Sequence, residues 1–511
     1  MSAGISIGVV GGGASAVCLI DAVARLDGPP GSLTVFEPSA HLWRGRAYQV
    51  DAPALKVNAL PDDMSVRAGD LGHFERWLAD RDRGLGRRDG IDPRSGARFV
   101  SRSVYGQYLE HSAHAALTTL RQRGWRIDLV GSAVTAARRT AERVLLHTGH
   151  GAARAFDYVV LCVGGDGPKD VFGLRGTPGF VQDPYPVADT LREVDPQERI
   201  AVIGSGLTAV DLVLALDAQG HRGPISLLSR RGVLPGVRQR YVPFELEHIT
   251  PERMRALARV RREVPLPEIV EIVRAELRDA GAALDAVLPE ITRIDQEDPV
   301  ARLRRQLADV DSPDLGLRIL QRAVPETGPD IWPLLPEQDR EHVLRHHYRT
   351  VMSLCCPMPP SSAAVLLELV DAGRLEVRSG LRTVGARPSG GFEVVTEGSA
   401  FRVDRVFNAV NAAEDRIPTG AAGLVASLTA GRAAVRHRHG GLDVVRATSR
   451  MVVDGEPDAR LYGLGNITSG SLFFTFGVPS LVDRAVDIAE AVHEHARGVR
   501  DARAQGLLLR A

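Results

Sequence analysis

The chain opens with a glycine-rich turn whose spacing suits the binding of a phosphate group. An apolar stretch at residues 5–10 predicts a strand before the turn, and residues 14–26 predict a helix after it. The first glycine would permit a tight turn, and the third would let the backbone approach a pyrophosphate at the positive helix N-terminus. An acid that ends the next strand would accept hydrogen bonds from the ribose hydroxyls of an adenosine. The predicted contacts with this first dinucleotide are Gly11, Gly12, Gly13, Ser15, Ala16 and Glu37.

The same strand, glycine turn and helix return at residues 199–219. Where the first unit has an acid after its second strand, this unit has a serine followed by two arginines. A carboxylate there would repel a 2′-phosphate, whereas guanidinium groups bind one through charge-assisted hydrogen bonds. This favours NADPH over NADH, and the alternative is an exposed basic turn without a ligand. The predicted contacts are Gly204, Ser205, Gly206, Ala209, Arg230 and Arg231.

Each half of the chain continues with a helix, a small meander of strands and a closing apolar strand, which indicates an internal duplication. The predicted fold class is α/β, with two Rossmann-like dinucleotide-binding domains arranged as in glutathione reductase. We assign residues 1–165 and 386–511 to a discontinuous FAD-binding domain, and residues 166–385 to an NADPH-binding domain. The charged, proline-broken segment 244–347 predicts a helical insert in the second domain. It would cap the active site or form a subunit contact, or it is an elaboration without either role.

Composition excludes several classes of function. Arginine and lysine together balance the acids, 63 to 63, so no global field draws the chain to nucleic acid or to an acidic membrane. No apolar run approaches the roughly 20 residues that a membrane helix needs, and the N-terminus lacks a signal-peptide pattern, so we expect a cytoplasmic protein. The four cysteines form no C-x-x-C pair, which argues against a dithiol-disulfide reductase. No metal site is predicted, since the histidines are scattered.

Similarity to a known family is carried by residues 11–16 and by the runs AYQVDAPALKVNALPDDMSV, FVSRSVYGQYL, IGSGLTAVDLVLAL and LLSRRGVLP. The chain resembles the FAD–NAD(P)-binding proteins related to the flavin-dependent N-hydroxylating monooxygenases, over nearly its whole length apart from the insert. Some of these relatives hydroxylate the side-chain amine of ornithine or lysine, and others oxidise aspartate to nitrosuccinate. The resemblance implies that NADPH reduces FAD, that oxygen adds at flavin C4a, and that the hydroperoxide transfers oxygen to a nucleophilic substrate atom.

The chain departs from its relatives at several positions. The histidine and tryptophan of the Baeyer–Villiger fingerprint are missing, and Asp183 and Tyr185 stand in the corresponding stretch. The closing strands end in residues 162–165 and 409–412, in place of the usual Ala-Thr-Gly. Where disulfide-reductase relatives carry a Gly-Asp pair that binds the flavin ribityl chain, this chain has Gly465 and Asn466, and the amide can still make that hydrogen bond.

Three candidate catalytic residues lie in the runs that carry the resemblance, which places Lys56 and Asn58 near the flavin ring. Asn58 would bond flavin N5 or the nicotinamide. Lys56 would bind a substrate carboxylate, or it is a loop lysine with a solvated head. Arg102 would contact substrate or cofactor, or it forms a structural ion pair.

A further helix start is predicted at Gly477, where the N-terminus would stabilise negative charge at the flavin N1–C2 carbonyl. Three phenylalanines come directly before it, at positions 473, 474 and 476. They would wall a dry site that protects a reactive oxygen intermediate, or they belong to the core.

The function that these features favour is a single-component FAD- and NADPH-dependent monooxygenase that uses molecular oxygen and acts on nitrogen of an amino-acid-like or small amine substrate. The alternative is an NADPH-dependent flavin reductase that passes electrons to a protein or quinone. A third hypothesis is a non-catalytic flavoprotein that uses the insert as an interaction module. The sequence leaves the substrate and the oligomeric state undecided, and a homo-oligomer stays open.

Overall fold

The computed structural model describes residues 4–149, 151–282, 284–294, 296–410 and 417–505. Residues 411 and 412 of the predicted second closing motif lie outside these ranges. Two open sheets organise the chain. The first sheet has six strands in the spatial order Arg450–Val453, Glu456–Gly463, Tyr158–Leu161, Ser6–Val10, Ser32–Phe36 and Arg126–Val130. All neighbours are parallel except the first two strands of that order, which are antiparallel.

The second sheet has five strands, all parallel, in the order Leu375–Arg378, Ile225–Leu228, Ile200–Ile203, Arg405–Asn408 and Phe180–Val181. In both sheets the strand before the glycine turn lies between the following strand and the closing strand. This is the switch point of an α/β sheet, where ligands bind beyond the carboxyl ends of the strands.

A three-stranded antiparallel meander accompanies each sheet, as the duplication predicts. The strands of the two meanders are Val134–Arg139, Val144–Thr148 and Arg154–Phe156 in the first half, and Leu381–Ala386, Phe392–Thr396 and Ala400–Val403 in the second. The α/β fold with two Rossmann-like units is therefore the observed fold class.

The boundary predicted at residue 386 is wrong. Arg405–Asn408 pairs in parallel with Ile200–Ile203, so the meander and the closing strand belong to the second sheet. The chain contributes strands to the first sheet again only from Arg450–Val453 onward. The physical reason is that the closing strand must lie beside the strand of the glycine turn to complete the second nucleotide fold.

Helices cover both sheets. Those of the first domain are Ala14–Arg25, His73–Leu85, Arg102–Gln122, Ala422–Ala430, Ser469–Leu472 and Val478–Ala504, and those of the second are Val187–Thr190, Leu207–Ala218 and Pro360–Asp371. Nearly every residue of Ala14–Arg25 is buried, because it packs between the first sheet, Arg102–Gln122 and Val478–Ala504. Within the described ranges, no helix has the length and apolar character that a bilayer crossing requires.

The insert is helical as predicted, with different details. Its helices are Pro251–Val260, Leu266–Asp279, Leu284–Thr292, Pro299–Ala308, Gly316–Ile331, Glu337–His342 and Tyr348–Cys355, so it continues past the predicted end at residue 347. Pro289 and Pro325, which suggested breaks, lie inside helices. The insert contacts the C-terminal part of the first domain, where Trp332 stacks on Phe473 with ring centroids 4.6 Å apart.

Candidate functional site

The first glycine turn requires glycine at position 11. Gly11 has φ +105°, a conformation that residues with a side chain rarely adopt. Its N–H donates to the carbonyl of Phe36 at 2.8 Å, and a Cβ would lie 2.2 Å from the carbonyl oxygen of Cys162. The turn is therefore held tightly between the two neighbouring strands of the sheet.

Glu37 lies beside this turn, as its predicted role requires. Its Oε2 accepts from the N–H of Gly12 at 2.8 Å, and Oε1 accepts from the N–H of Ser39 at 2.9 Å. A carboxylate has about four acceptor positions, so two bonds to the backbone leave capacity for ribose hydroxyls. The backbone bonds fix the orientation of the carboxylate.

The helix that follows the turn begins without a side-chain cap, which suits the binding of an anion. Gly13 is the N-cap of Ala14–Arg25, no side chain caps the helix, and its first turn holds no acid. A Cβ on Gly13 would meet nothing closer than the backbone of Gly45 at 3.5 Å, so the space above the turn is open. Free N–H groups at a helix N-terminus attract a pyrophosphate. Ala16 is fully buried, as close packing of helix on sheet requires.

The C-terminal segment of the first domain converges on the same place. Gly465 has φ +85°, and a Cβ on it would lie 2.7 Å from the hydroxyl of Ser15. The amide nitrogen of Asn466 would lie 3.4 Å from a Cβ on Gly165. Three predicted contacts of the first dinucleotide, Ser15, Gly465 and Asn466, thus lie close together beside the end of the closing strand.

The helix that begins after Gly477 adds two polar groups that sequence reasoning missed. Neither a side-chain cap nor an acid occupies its first turn. The hydroxyls of Thr475 and Ser480 are buried there, and neither has a hydrogen-bond partner among the described residues. Each unpaired buried hydroxyl costs about 1–3 kcal/mol unless a ligand satisfies it. These orphaned hydroxyls fit a polar cofactor such as FAD, and the only sequence signal for them was their closeness to the helix start.

The second glycine turn has the same backbone conformation and the same backbone hydrogen bond as the first turn. Gly204 has φ +122°, its N–H donates to the carbonyl of Leu228 at 2.7 Å, and a Cβ would lie 2.5 Å from the carbonyl oxygen of Ala409. Gly206 caps Leu207–Ala218 without a side-chain cap, and nothing lies within 4 Å of where its Cβ would be. This unit therefore offers the same open helix start.

Individual predicted contacts at the second turn differ in what they offer a ligand. Ala209 is fully buried between helix and sheet. The hydroxyl of Ser205 donates to the carbonyl of Val233 at 2.7 Å, so this side chain supports the loop and leaves its backbone N–H to a ligand. Arg230 and Arg231 are exposed, and neither has an ion pair with any described residue.

Arg102 forms the structural ion pair that was one of its two predicted roles. Its guanidinium lies 2.6 Å from Oδ2 of Asp211 and donates to the hydroxyl of Tyr185 at 2.9 Å. Burial lowers the pKa of Arg102, but the carboxylate of Asp211 outweighs it and the net pKa is raised. Because Asp211 lies on the helix after the second glycine turn, this pair joins the two nucleotide-binding units.

Lys56 and Asn58 lie at the junction of the two domains. Lys56 Nζ is 3.5 Å from the hydroxyl of Ser361, and the Asn58 amide donates to the carbonyl of Pro357 at 3.3 Å. Both side chains are half-buried. Arg238, which the sequence did not single out, donates from Nε to the carbonyl of Asn58 at 3.0 Å.

Charged groups of opposite sign lie near this junction without forming an ion pair with each other. Burial raises the pKa of the Asp63 carboxyl, against the opposing effect of Arg238 and Arg322. Burial likewise lowers the pKa of Arg238. No ion pair joins Asp63 to a described residue. The junction thus holds an acid and a base whose charges are not neutralised by direct contact.

Two of the three phenylalanines before Gly477 belong to the core. Phe473 and Phe474 are buried among residues of the insert, including Trp332, whereas Phe476 is 46% exposed. The ring of Phe474 would come within 2.9 Å of a Cβ on Gly477, so that position has no room for a side chain. The insert and these rings close one side of the C-terminal segment against water.

Among the described residues, no group of three or more metal-binding side chains forms a metal site. The four cysteines carry no disulfide. Burial raises the pKa of the Cys356 thiol to about 12 and holds the pKa of its neighbour Cys355 well above its ordinary value. These thiols are protonated at neutral pH.

Comparison with known proteins agrees with this geometry. Residues 8–166 match the model of a family described as FAD-NAD(P)-binding. The N-terminal part of the chain is an FAD-NAD(P)-binding domain. It contains the first glycine turn, Glu37 and the three candidate catalytic residues. No protein of curated function matches the sequence.

Solved structures of amino-acid hydroxylases share the fold of this chain over almost its whole length. An ornithine N-hydroxylase from Kutzneria sp. 744, solved with reduced FAD, NADP⁺ and L-ornithine, is 16% identical with a TM-score of 0.54 and covers 97% of this chain and 100% of its own. An L-lysine 6-monooxygenase from Pseudomonas syringae is 15% identical with a TM-score of 0.57, covering 96% and 99%. An ornithine hydroxylase from Pseudomonas aeruginosa is 15% identical with a TM-score of 0.54, covering 97% and 100%.

Proposed function

We propose that this chain is a single-component FAD- and NADPH-dependent monooxygenase that transfers oxygen to a nitrogen atom of an amino-acid-like or small amine substrate. The observation that carries the proposal is the pair of complete glycine turns in one chain, one beside an acid and the other beside two arginines. The shared fold with amino-acid hydroxylases supports the type of reaction. The balanced reaction converts amine, oxygen, NADPH and a proton into hydroxylamine, NADP⁺ and water.

The residues divide the work between the two nucleotide sites. When bound, FAD supplies the redox chemistry, accepting a hydride from NADPH and activating oxygen. The first turn holds the FAD pyrophosphate at a helix N-terminus, Glu37 orients its ribose, and the orphaned hydroxyls of Thr475 and Ser480 satisfy further polar atoms. The insert excludes water through the contact of Trp332 with Phe473.

The junction around Lys56 and Asn58 is the proposed substrate site. It lies between the two nucleotide-binding units, where a hydride acceptor and a substrate must meet. Arg238 and Lys56 would hold a substrate carboxylate, and Asp63 would hold an ammonium group. The absence of a direct ion pair between Asp63 and Arg238 leaves both groups available to a zwitterion.

The second candidate function is an NADPH-dependent flavin reductase. The same two nucleotide sites would serve it. For a reductase of disulfides, however, the chain would need a reactive thiolate, and burial holds the pKa of Cys355 and Cys356 far above neutrality. This observation favours oxygen transfer over thiol chemistry.

Oxygen uptake tests the proposed function. The FAD-loaded protein is mixed with NADPH and a panel of amino acids and small amines, while NADPH oxidation, oxygen consumption and hydrogen peroxide are measured together. We expect at least one amine to raise the rate and to yield a product heavier by oxygen, with little peroxide. If an electron acceptor accelerates NADPH oxidation and no amine changes its rate, the result would support the reductase instead.

A simpler experiment distinguishes this enzyme from a non-catalytic flavoprotein. If NADPH bleaches the absorbance of the bound flavin, the chain transfers hydride. A flavin that stays oxidised in NADPH would favour an interaction module.

A further inference from the structure

The basic turn at the second nucleotide site has two unpaired positive charges. Arg230 and Arg231 directly follow the strand Ile225–Leu228, where the ribose of a coenzyme lies in this fold. Both side chains are exposed, and no described carboxylate pairs with either.

The helical insert brings a third arginine to the same turn. The insert helix Tyr348–Cys355 is bonded to the segment that follows Arg231, because the Ser353 hydroxyl donates to the carbonyl of Leu234 at 2.8 Å. The N–H of Gly236 also donates to the carbonyl of Ser353, at 2.9 Å. Arg349 comes four residues before Ser353 and therefore lies on the same helix face, one turn nearer the helix start.

The electrostatics of Arg349 agree with this placement. Partial withdrawal from water lowers its pKa, and the positive charges of Arg230 and Arg231 lower it further, against the opposing effect of Tyr348. The guanidinium of Arg349 too has no ion pair or hydrogen bond to a described residue. Three like charges gathered without an anion repel one another, and a bound anion would relieve that repulsion.

We propose that Arg349, together with Arg230 and Arg231, binds the 2′-phosphate of NADPH. The helical insert then supplies part of coenzyme recognition rather than only covering the domain. The proposal rests on the proposed function, in which NADPH is the hydride donor. A phosphate monoester carries close to two negative charges and three acceptor oxygens, which suits three guanidinium groups.

The helix that carries Arg349 also contacts the C-terminal segment that precedes Gly477. Tyr348, the neighbour of Arg349, meets Phe473 edge-on, with ring centroids 6.2 Å apart. A π-helical turn, Val343–His347, comes directly before this helix. The helix Tyr348–Cys355 thus contacts both the segment that follows the basic turn and the aromatic segment that precedes Gly477.

The test compares wild-type protein with Arg349→Gln, and uses Arg262→Gln as a matched control. Arg262 is an exposed arginine of the same insert that has no described partner. Reduction of the bound FAD is followed without oxygen at increasing NADPH and NADH. We expect the dissociation constant for NADPH to rise about tenfold or more in Arg349→Gln, with no change for NADH and none for Arg262→Gln.

Calorimetry with 2′-AMP, 5′-AMP and inorganic phosphate provides an independent measurement that needs neither hydride transfer nor an amine. Wild-type protein should bind 2′-AMP more tightly than 5′-AMP or phosphate, and Arg349→Gln should lose that difference. An equal loss of NADPH and NADH affinity, or unchanged 2′-AMP binding, would overturn the role of Arg349. If the wild-type flavin is not reduced but 2′-AMP binding depends on Arg349, the proposed function fails while the phosphate site stands.

Discussion

At the scale of single residues, the sequence predicted those positions whose role follows from local spacing. Gly11, Gly204 and Glu37 have the conformations and bonds that their motif requires. The role of Arg102 could not be decided, because its partner Asp211 is distant in sequence and meets it only through the packing of two domains. Thr475 and Ser480 were missed for a related reason, since the burial of a hydroxyl cannot be predicted from the residues next to it in sequence.

Gly11→Ala should abolish or greatly weaken FAD binding. The added methyl group would lie 2.2 Å from the carbonyl oxygen of Cys162, in a backbone conformation with φ +105°. We expect a loss of stability of about 1–3 kcal/mol or more, and little FAD in the purified protein. Flavin absorbance per protein and thermal unfolding measure both effects.

Gly84→Ala is the matched control for that substitution. Gly84 lies within the helix His73–Leu85, and a Cβ there would meet nothing within 4 Å. Alanine should leave FAD content unchanged and stabilise the helix by about 0.5–1 kcal/mol. Loss of FAD in both variants would show that the assay reports general instability and not the turn.

Arg102→Met should lower stability more than it lowers hydride transfer. Removing the arginine leaves the buried carboxylate of Asp211 with the hydrogen bond from Tyr185 but without its charged partner, at a cost of about 3–5 kcal/mol. Urea unfolding should show this loss. At a temperature where the variant stays folded, we expect NADPH to reduce its flavin at close to the wild-type rate.

The double substitution Arg102→Met with Asp211→Leu removes both charges and should recover part of the lost stability. A large fall in the rate of flavin reduction, with stability recovered, would contradict the structural role and return Arg102 to the catalytic candidates.

At the scale of elements, the periodicity of the sequence predicted each strand and helix of the two glycine-turn units to within about two residues. The boundary at residue 386 was wrong because it depends on which sheet the strand Arg405–Asn408 joins. Pairing between strands that are distant in sequence cannot be predicted from a local pattern. The insert ended later than predicted because Tyr348–Cys355 packs on the segment after Arg231.

The long C-terminal helix should make stability depend on pH. Burial raises the pKa of Asp483 to about 6, with Asp487 and Asp330 acting in the same direction and Arg255 and Arg446 opposing them. An acid with a raised pKa in the folded state binds more protons when folded, so its contribution to stability is present at low pH and is lost as pH rises from about 4 to about 7. Asp483→Asn should therefore flatten this part of the pH profile of unfolding.

Chemical unfolding at closely spaced pH values between 4 and 8 checks this prediction. The control is Asp501→Asn, on the same helix and without a described ion pair, which should leave the profile unchanged. An unchanged slope in Asp483→Asn would mean that other groups cause the pH dependence.

At the scale of the whole molecule, the proposed hydride transfer requires two nucleotide sites that face each other in one chain. The duplicated turns, meanders and closing strands establish two such units, and the Arg102–Asp211 pair fixes one against the other. The insert adds a third layer that touches both, through Trp332 on one side and the bond from Ser353 to Leu234 on the other. The sequence indicated the two units but could not show how the insert joins them, because those contacts link segments far apart along the chain.

The most direct test of this account is the absorbance of the bound flavin in the absence of oxygen, recorded after rapid mixing of the FAD-loaded protein with NADPH or NADH. We predict that NADPH reduces the flavin completely, and that NADH does so only at a much higher concentration. A flavin that NADPH leaves oxidised, or that both coenzymes reduce equally well, would contradict it.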